Sequence, residues 1–316
     1  MKNFSSSADK APKIITVTLN PCMDKTVQVS RFATGQTNRV LDSRTDIGGK
    51  GINVARVLQG SGVECIAAGL GSPAFIRRLT EAGLSTAFCE TDGETRTNLK
   101  VIDSETGEMT EINEKGLPAG AAFAALQKRL TALLPEADVL VLSGSVPPDL
   151  SETVYKDLTA LAADFGVRVI LDADGAYFKK GLEAKPFAVK PNRAELERLV
   201  GKKLDTVEDI LREAAALNRQ GIALVAVSLG AEGAVFVQST QAVRTVPFPI
   251  TVGSAAAAGD SMVAMLAYAM VHDLSLSETA RLMTAAGTVT ASLSGTQVAG
   301  FSEILRRAAD IKTEIY

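Results

Sequence analysis

Val252-Gly-Ser-Ala-Ala-Ala-Ala-Gly-Asp260-Ser-Met-Val-Ala-Met-Leu-Ala-Tyr-Ala-Met270 joins a run of very small residues to one carboxylate and then to an almost wholly apolar segment. The pattern predicts a turn feeding a buried helix over residues 259–271. In the first turn of such a helix the backbone N–H groups have no intrahelical partner, and the positive end of the dipole faces outward. Small residues let an anion approach those amides closely, which is the general recipe for a phosphate site. A carboxylate there, Asp260, is held ionised by the dipole, as a base beside a transferring phosphoryl group must be. The competing reading is a capping Asp on an Ala-rich core helix, and this stretch alone does not separate the two.

Outward from that stretch, strand and helix patterns alternate. Residues 14–19 are a β-branched run ending at Asn20-Pro21 and read as a buried first strand; residues 63–68 read as a second. Further strands are expected at 138–142, 167–172, 187–189, 223–228 and 233–237. Helices are expected at 52–59, 119–134, 151–165, 194–200, 206–219, 277–293 and 302–315, with Asp149 and Glu152 spaced like a capping box. This alternation implies an α/β fold, a three-layer α/β/α arrangement around a mostly parallel central sheet covered on both faces. Ligands in such sheets bind beyond the carboxyl ends of the strands. Residues 26–30, 37–44, 95–101 and 108–113 look extended and suit one small β-sheet lid, with lid segments at about 25–45 and 95–114. The main domain then spans 14–316, and the polar, Ser-rich residues 1–13 are expected to form a frayed N-terminal extension.

A chain of 316 residues has room for one large α/β domain with a small appendage. Net charge is −3 with no long basic run, which argues against nucleic acid or an acidic membrane surface as partner. Cys22, Cys65 and Cys89 follow no pairing pattern, suggest a reducing compartment, and read as buried or incidental thiols. With one histidine, His272, a zinc site or a Ser-His-Asp triad is hard to build. No apolar run is long enough to span a bilayer and the N-terminus lacks a signal-peptide core, so a cytoplasmic protein is expected.

Several short stretches fall at the expected strand ends. Asp24, after the first strand, could accept hydrogen bonds from sugar hydroxyls, or be a solvated turn residue. Gly48-Gly49-Lys50-Gly-Ile-Asn53 opens a helix, so its backbone can come close to a ligand. It is not a Walker A loop, because Arg44 stands where a Gly is required and Gly51 replaces the Ser/Thr after Lys50. Nor does the first strand run into a Gly-x-Gly-x-x-Gly turn, which counts against a dinucleotide site. Arg96, Asn98 and Lys100 alternate on a strand and would point to one face, where such donors suit a phosphate or polyhydroxyl ligand. Ser143-Gly-Ser145-Val-Pro-Pro148 follows a core strand. Lys190-Pro-Asn192-Arg-Ala-Glu195 follows another, and Asn192 and Glu195 could hold a hydrated Mg²⁺ through water. In Ser228-Leu-Gly230-Ala-Glu-Gly233 the glycines permit close contact with a nucleotide.

Taken in order, these stretches resemble the PfkB (ribokinase-like) carbohydrate kinases from Thr18 to about Leu293. Thr18-Leu-Asn-Pro21 with Gly48-Gly-Lys-Gly-Ile-Asn53 looks like the hexose-phosphate kinase branch. Glu94-Thr-Arg-Thr-Asn98 with Thr110-Glu-Ile-Asn-Glu114 looks most like its 1-phosphofructokinases. The resemblance implies transfer of the γ-phosphoryl of Mg-ATP to a hydroxyl of a sugar phosphate, foremost fructose 1-phosphate. It implies Asp260 as base, with the amides of Ala258, Gly259 and Asp260 stabilising the transferring group. Asp24, Gly48, Gly49, Lys50, Asn53, Arg96, Asn98 and Ser143 would hold the sugar phosphate. Lys190, Asn192, Glu195, Ser228, Gly230, Gly233 and Gly259 would serve ATP, with Asn192 and Glu195 on the metal side. A homodimer through the lid is implied as well.

Two departures from the family pattern bear on activity. Ala257 stands where the turn normally has glycine, and would cost about a kcal/mol or more if that position takes a positive φ. Gly69-Leu-Gly71-Ser-Pro73 lacks several residues of a Gly-rich loop and so alters one wall of the sugar pocket. Tagatose 6-phosphate or fructose 6-phosphate as acceptor, and a catalytically weak sugar-phosphate-binding protein, therefore stay open; a nicotinamide dehydrogenase is a distant third.

Overall fold

A computed structural model describes residues 11–316. The expected frayed extension falls, for residues 1–10, outside the described residues, whereas Lys13 opens the first strand with its ammonium between Glu64 and Glu136. That strand, β1 (Lys13–Thr18), is buried along its whole length. Its β-branched side chains serve both faces of the sheet, Ile14 on one and Ile15 and Val17 on the other.

Parallel partners surround it: β4 (Glu64–Gly71) and β5 (Ser85–Glu90) on one side, and β8 (Val139–Ser143), β9 (Arg168–Asp172), β10 (Ala188–Val189) and β11 (Leu224–Ser228) on the other. Antiparallel β12 (Ala234–Gln238), β13 (Gln241–Val246) and β14 (Lys312–Ile315) complete a ten-stranded sheet. On one face lie α3 (Ala122–Leu133), α4 (Val154–Asp164), α5 (Gly175–Leu182), α6 (Arg193–Val200) and α7 (Val207–Arg219), which supply Leu126, Leu158, Phe178, Leu196 and Ile210 to a common core. On the other lie α1 (Lys50–Leu58), α8 (Ala258–Val271) and α9 (Leu276–Ala291), packed around Val54, Met265 and Met283. The result is the expected three-layer α/β/α fold. Strand order reverses at β1, with β4 and β8 on its two sides, so a crevice opens beyond its carboxyl end.

A second sheet has the order β3-β2-β6-β7 and comes from two excursions, β2 (Cys22–Val29) with β3 (Val40–Gly48), and β6 (Thr97–Asp103) with β7 (Met109–Asn113). It stands over that crevice.

Several local expectations need correction. The proposed helix over 302–315 stops early: α10 is Phe301–Arg307, a 3₁₀ turn covers Ala308–Asp310, and β14 follows. Lys-Thr-Glu-Ile alternates with period two and finds β13, with Arg244 opposite Glu314 and an ion pair at 3.5 Å. Asp149 does not cap α4. Its carboxylate accepts from the amides of Ala119 and Gly120 at 2.7 and 2.9 Å and ties down the approach to α3. Helix α2 (Pro73–Glu81), β5, α5 and β13 have no counterpart among the expected elements. The first two occupy only 9 and 6 residues, so their periodicity is short, and β13 follows β12 through a turn.

Candidate active site

The carboxyl ends of β1, β8 and β9 deliver three residues in register, Thr18, Ser143 and Asp172, beneath α1 and α8. Asp172 is almost wholly buried between two ammonium groups, Lys50 Nζ 3.3 Å from Oδ2 and Lys190 Nζ 3.4 Å from Oδ1. Burial opposes its ionisation, yet the two cations outweigh burial and hold the carboxyl below the usual carboxylate range. Lys50 is correspondingly held protonated far above its usual range, chiefly by the Asp172 charge.

Helix α8 begins beside this cluster. It is apolar almost all round and packs against α1 and α9, which makes it a core helix. Its N-cap Ala257 has φ +59, a left-handed conformation, and lines the crevice with Ala256 and Asp260. The Ala258 amide is 3.4 Å from the Ala255 carbonyl, and the Ala257 carbonyl already serves Ser261, so the amides of Gly259 and Asp260 are those in excess. A Cβ on Gly259 would sit 3.1 Å from Lys190 Nζ, so the glycine admits the ammonium next to the helix start. Asp260 is 6% exposed and its Oδ2 accepts from Asn53 Nδ2 at 2.8 Å. Burial raises its pKa to about 6; Lys50, the Asn53 hydrogen bond and Lys190 pull it down, and the Asp172 charge pushes it up.

From Asp260 a cleft of about 270 Å³ runs outward under the small sheet, lined by Thr18, Asn20, Cys22, Asp24, Gly49, Lys50, Asn53, Arg96, Asn98, Lys100, Glu111, Asn113, Ser145 and Thr296 among others. As the alternation on β6 implies, Arg96, Asn98 and Lys100 all face it. Arg96 is locked in place. Its guanidinium donates to the carbonyls of Pro21 (3.3 Å), Asn20 (3.1 Å) and Glu114 (2.8 Å), to Asn98 Oδ1 and to Ser145 Oγ. Asp24 is buried with Oδ1 accepting from Asn98 Nδ2 at 3.2 Å and from the Cys22 thiol at 3.4 Å. Burial first and the Asp24 charge second push the Cys22 thiol up to about 12, so it stays protonated as a donor. Gly48 is outside the cleft lining, but a Cβ there would strike Asp24 Oδ2 at 2.6 Å, so its role is to make room for Asp24.

Ser143 is also outside the lining, fully buried with its hydroxyl unpartnered, and the serine two residues on, Ser145, is the one that reaches the cleft. Asn192, Glu195, Ser228, Gly230 and Gly233, expected to serve ATP, lie outside the cleft lining. Asn192 and Glu195 cap α6 by mutual hydrogen bonds of 2.8 Å, and Asn192 bridges to Ser228. Gly230 opens a 3₁₀ turn with φ +60; a Cβ on Gly233 would collide with the Thr245 carbonyl, so β13 already accounts for that glycine.

Asp172, a lone carboxylate ending an apolar strand, is absent from the expected site residues, and Cys22 is buried, as expected of it, but also lines the cleft. The signal for the first was present: a charge at the carboxyl end of a fully buried strand needs buried partners.

The start of α8 thus sets a buried acid among Lys50, Lys190 and Asn53 at a donor-lined cleft, and the family pattern of the pfkB family carbohydrate kinases matches residues 17–302. The chain belongs to the PfkB carbohydrate kinases. As a PfkB kinase it is a phosphotransferase with an alcohol group as acceptor. The 1-phosphofructokinase of Rhodobacter capsulatus is 41% identical over 86% of this PfkB chain and 88% of its own. The 1-phosphofructokinase of Escherichia coli K12 is 33% identical over 89% and 92%. The crystal structure of Escherichia coli phosphofructokinase-2 with substrates and products superposes with a TM-score of 0.88, at 30% identity, covering 94% of this chain and 99% of that one.

Proposed function

We propose that the protein uses ATP to phosphorylate the C6 hydroxyl of fructose 1-phosphate, giving fructose 1,6-bisphosphate. The observation that carries this reading is the position of Asp260, buried at the inner end of a donor-lined cleft and adjacent to the free amides that start α8. The relatives named 1-phosphofructokinase favour fructose 1-phosphate as acceptor.

In this reading the acceptor hydroxyl lies against Asp260. Its oxygen bonds to the γ-phosphorus, its proton passes to the Asp260 carboxylate, and the bond from the γ-phosphorus to the β–γ bridging oxygen breaks, leaving ADP. Little deprotonation precedes attack in a loose transition state, so a carboxylate with a pKa near 6 suffices. Lys50, pinned by Asp172, and the Gly259 and Asp260 amides face the transferring charge, and fixed donors of this kind need no reorganisation. Arg96 and Lys100 present positive charge to the acceptor's own phosphate, while Asp24 and Asn98 take its hydroxyls.

The donor set fits a hydrated Mg²⁺ held through phosphate oxygens and water, with Glu195 and Asn192 as outer partners. Among the described residues no three Asp, Glu, His or Cys side chains converge into a cage of their own. Bound there, Mg²⁺ would neutralise charge on the phosphate oxygens. The small sheet would act as a lid that excludes water, and pairing of two lids would make a homodimer, a reading supported by Val40, Leu41, Met109 and Ile112, each more than half exposed on it. The three free cysteines suit the reducing conditions of a cytoplasmic location.

An ADP-release screen over fructose 1-phosphate, tagatose 6-phosphate and fructose 6-phosphate tests the assignment: the first should give the highest kcat/KM, and a higher value for another acceptor reassigns the substrate. Activity should fall as pH drops through about 6, where Asp260 takes up a proton. Asp260→Asn should lose about 10²–10⁴-fold in kcat with ATP binding kept, and near-normal turnover refutes Asp260 as base. Tight sugar-phosphate binding with no ADP release on any acceptor would instead mark a binding protein.

A further inference from the structure

An unbroken run of hydrogen bonds leads from the exposed edge of the small sheet to Asp260, through a residue that lines neither side of the site. Arg44 on β3 pairs with Asp46 at 2.7 Å, and Asp46 Oδ2 accepts from Thr296 Oγ1 at 3.2 Å. The Thr296 carbonyl lies 3.5 Å from Arg56 Nη1, and the same nitrogen reaches Asn53 Oδ1 at 3.4 Å. Asn53 Nδ2 then donates to Asp260 Oδ2 at 2.8 Å. Arg56 stands three residues after Asn53 on α1, so the two side chains share a helix face.

The chemistry of an amide makes the middle of this run decisive. Asn53 can offer Asp260 either its NH₂ or its carbonyl oxygen, and the second would set a lone pair against a carboxylate. A guanidinium carries donors only. By occupying Oδ1, Arg56 leaves Nδ2 as the end that faces Asp260. Keeping that cation in place has a cost, since burial weakens its hold on its proton while Asp46 opposes the effect.

We propose that Arg56 is a positioning residue for phosphoryl transfer, fixing the Asn53 amide with its donor end toward Asp260 and tying that setting to the seat of β3 through Thr296 and Asp46. The role rests on Asp260 being the base, but the orientation of Asn53 can be read without turnover. The groups that face Asp260 are Lys50 and Asn53 from α1, Asp172 from β9 and Lys190 beyond β10; around Arg56 they are Asp46 and Arg44 from β3. Removing Arg56 frees the Asn53 amide to turn, and proton binding at Asp260 should then tighten.

The test is the titration of Asp260 in ¹³C-aspartate-labelled protein, with Asp260→Asn used to assign the resonance. In Arg56→Gln the proton affinity of Asp260 should rise about tenfold, and the acid limb of kcat/KM should move with it. Arg56→Lys, which keeps a cationic donor, should return most of the shift. An unchanged or weakened proton affinity in Arg56→Gln overturns the proposal, as does Arg56→Lys behaving like Arg56→Gln. If Arg56→Gln does not fold, Asp46→Asn should move the same titration in the same direction by a smaller factor, and no movement overturns the coupling. Full turnover in Asp260→Asn would remove the base assignment alone, because the titration judges the orientation of Asn53 independently.

Discussion

β8 is buried at every position and β7 is exposed at every position, although the turn after β8 and the strand β7 line the same cleft. Beneath the cleft, Asp172, Lys190 and Asp260 are buried among strand ends and two core helices, where charges act strongly, and the half-buried Lys50 joins them from the cleft. Above it, the small sheet has a core of only Val27, Val29 and Val101, backed by Phe32 and Leu99. Register places Ile112 opposite Leu99, so the apolar side of that sheet is turned away from Asn98, Lys100 and Asp24. The floor is rigid by burial and ion pairing. The roof has few buried apolar contacts of its own, which suits the lid role proposed for it.

The sharpest way to break this contrast is to discharge the floor. Asp172→Asn leaves Lys190, with a side chain 5% exposed, without its carboxylate. Breaking one side of a buried pair costs about 3–5 kcal/mol, so the urea midpoint at neutral pH should fall steeply. The sign with pH follows from the direction of the shift: a depressed carboxyl stabilises the fold above its unfolded pKa and loses that contribution as pH drops through its folded pKa. The deficit of the variant should therefore shrink in acid. A neutral-pH loss below about 1 kcal/mol, the size of an exposed pair, would mean the floor is not held by charge.

The contrast also explains what the sequence discloses. The parallel sheet is legible because β1, β8 and β11 are runs of β-branched and aliphatic residues, and the cleft face of β6 is legible from the alternation of Arg96, Asn98 and Lys100. Cys22 and Thr296 are not, because each matters through a partner 76 or more residues away in the chain, Asn98 and Asp46; Asp172 announces that it needs a buried partner, but not that Lys50, 122 residues away, supplies it. The sequence points to Ser143 rather than Ser145 for a related reason. A strand end identifies the level at which ligands bind, but which of two serines turns outward is decided by the bend at Gly144, whose φ is +101. The terminal strand β14 hides in a helical-looking stretch because its pairing with β13 is a tertiary contact that local propensity does not record.

The roof is tested by charging its apolar side. Leu41 and Ile112 lie on the outer strands β3 and β7 and are 64% and 54% exposed. Leu41→Lys combined with Ile112→Lys should leave the urea midpoint within about 0.5 kcal/mol of wild type, as surface changes usually do. On the proposed pairing of lids, light scattering should find monomer in place of dimer, and KM for the sugar phosphate should rise about tenfold, equivalent to about 1.4 kcal/mol of acceptor binding. An unchanged mass would locate any subunit contact elsewhere. A large loss of stability would show that the sheet carries its own weight, contrary to the division drawn between floor and roof.

The smallest effect is expected where floor and roof meet, at Ala257. Its φ of +59 puts this alanine in the left-handed region, and the Asp260 carboxylate three residues on accepts from Asn53 at 2.8 Å. The substitution is thus carried as backbone strain of about 1–2 kcal/mol rather than as a shifted catalytic group. Ala257→Gly would relieve that strain, but glycine gives back about 0.4–1 kcal/mol through the greater freedom of the unfolded chain. A net gain of about 1 kcal/mol or less follows, visible as a small rise in melting temperature, with kcat unchanged within about twofold. Ala257→Val is the informative partner, since a β-branched residue tolerates positive φ least and should cost both stability and turnover. If Ala257→Gly instead raised kcat by an order of magnitude, the first amides of α8 would have to be out of place in the natural protein, and the alanine would be acting as a brake on catalysis.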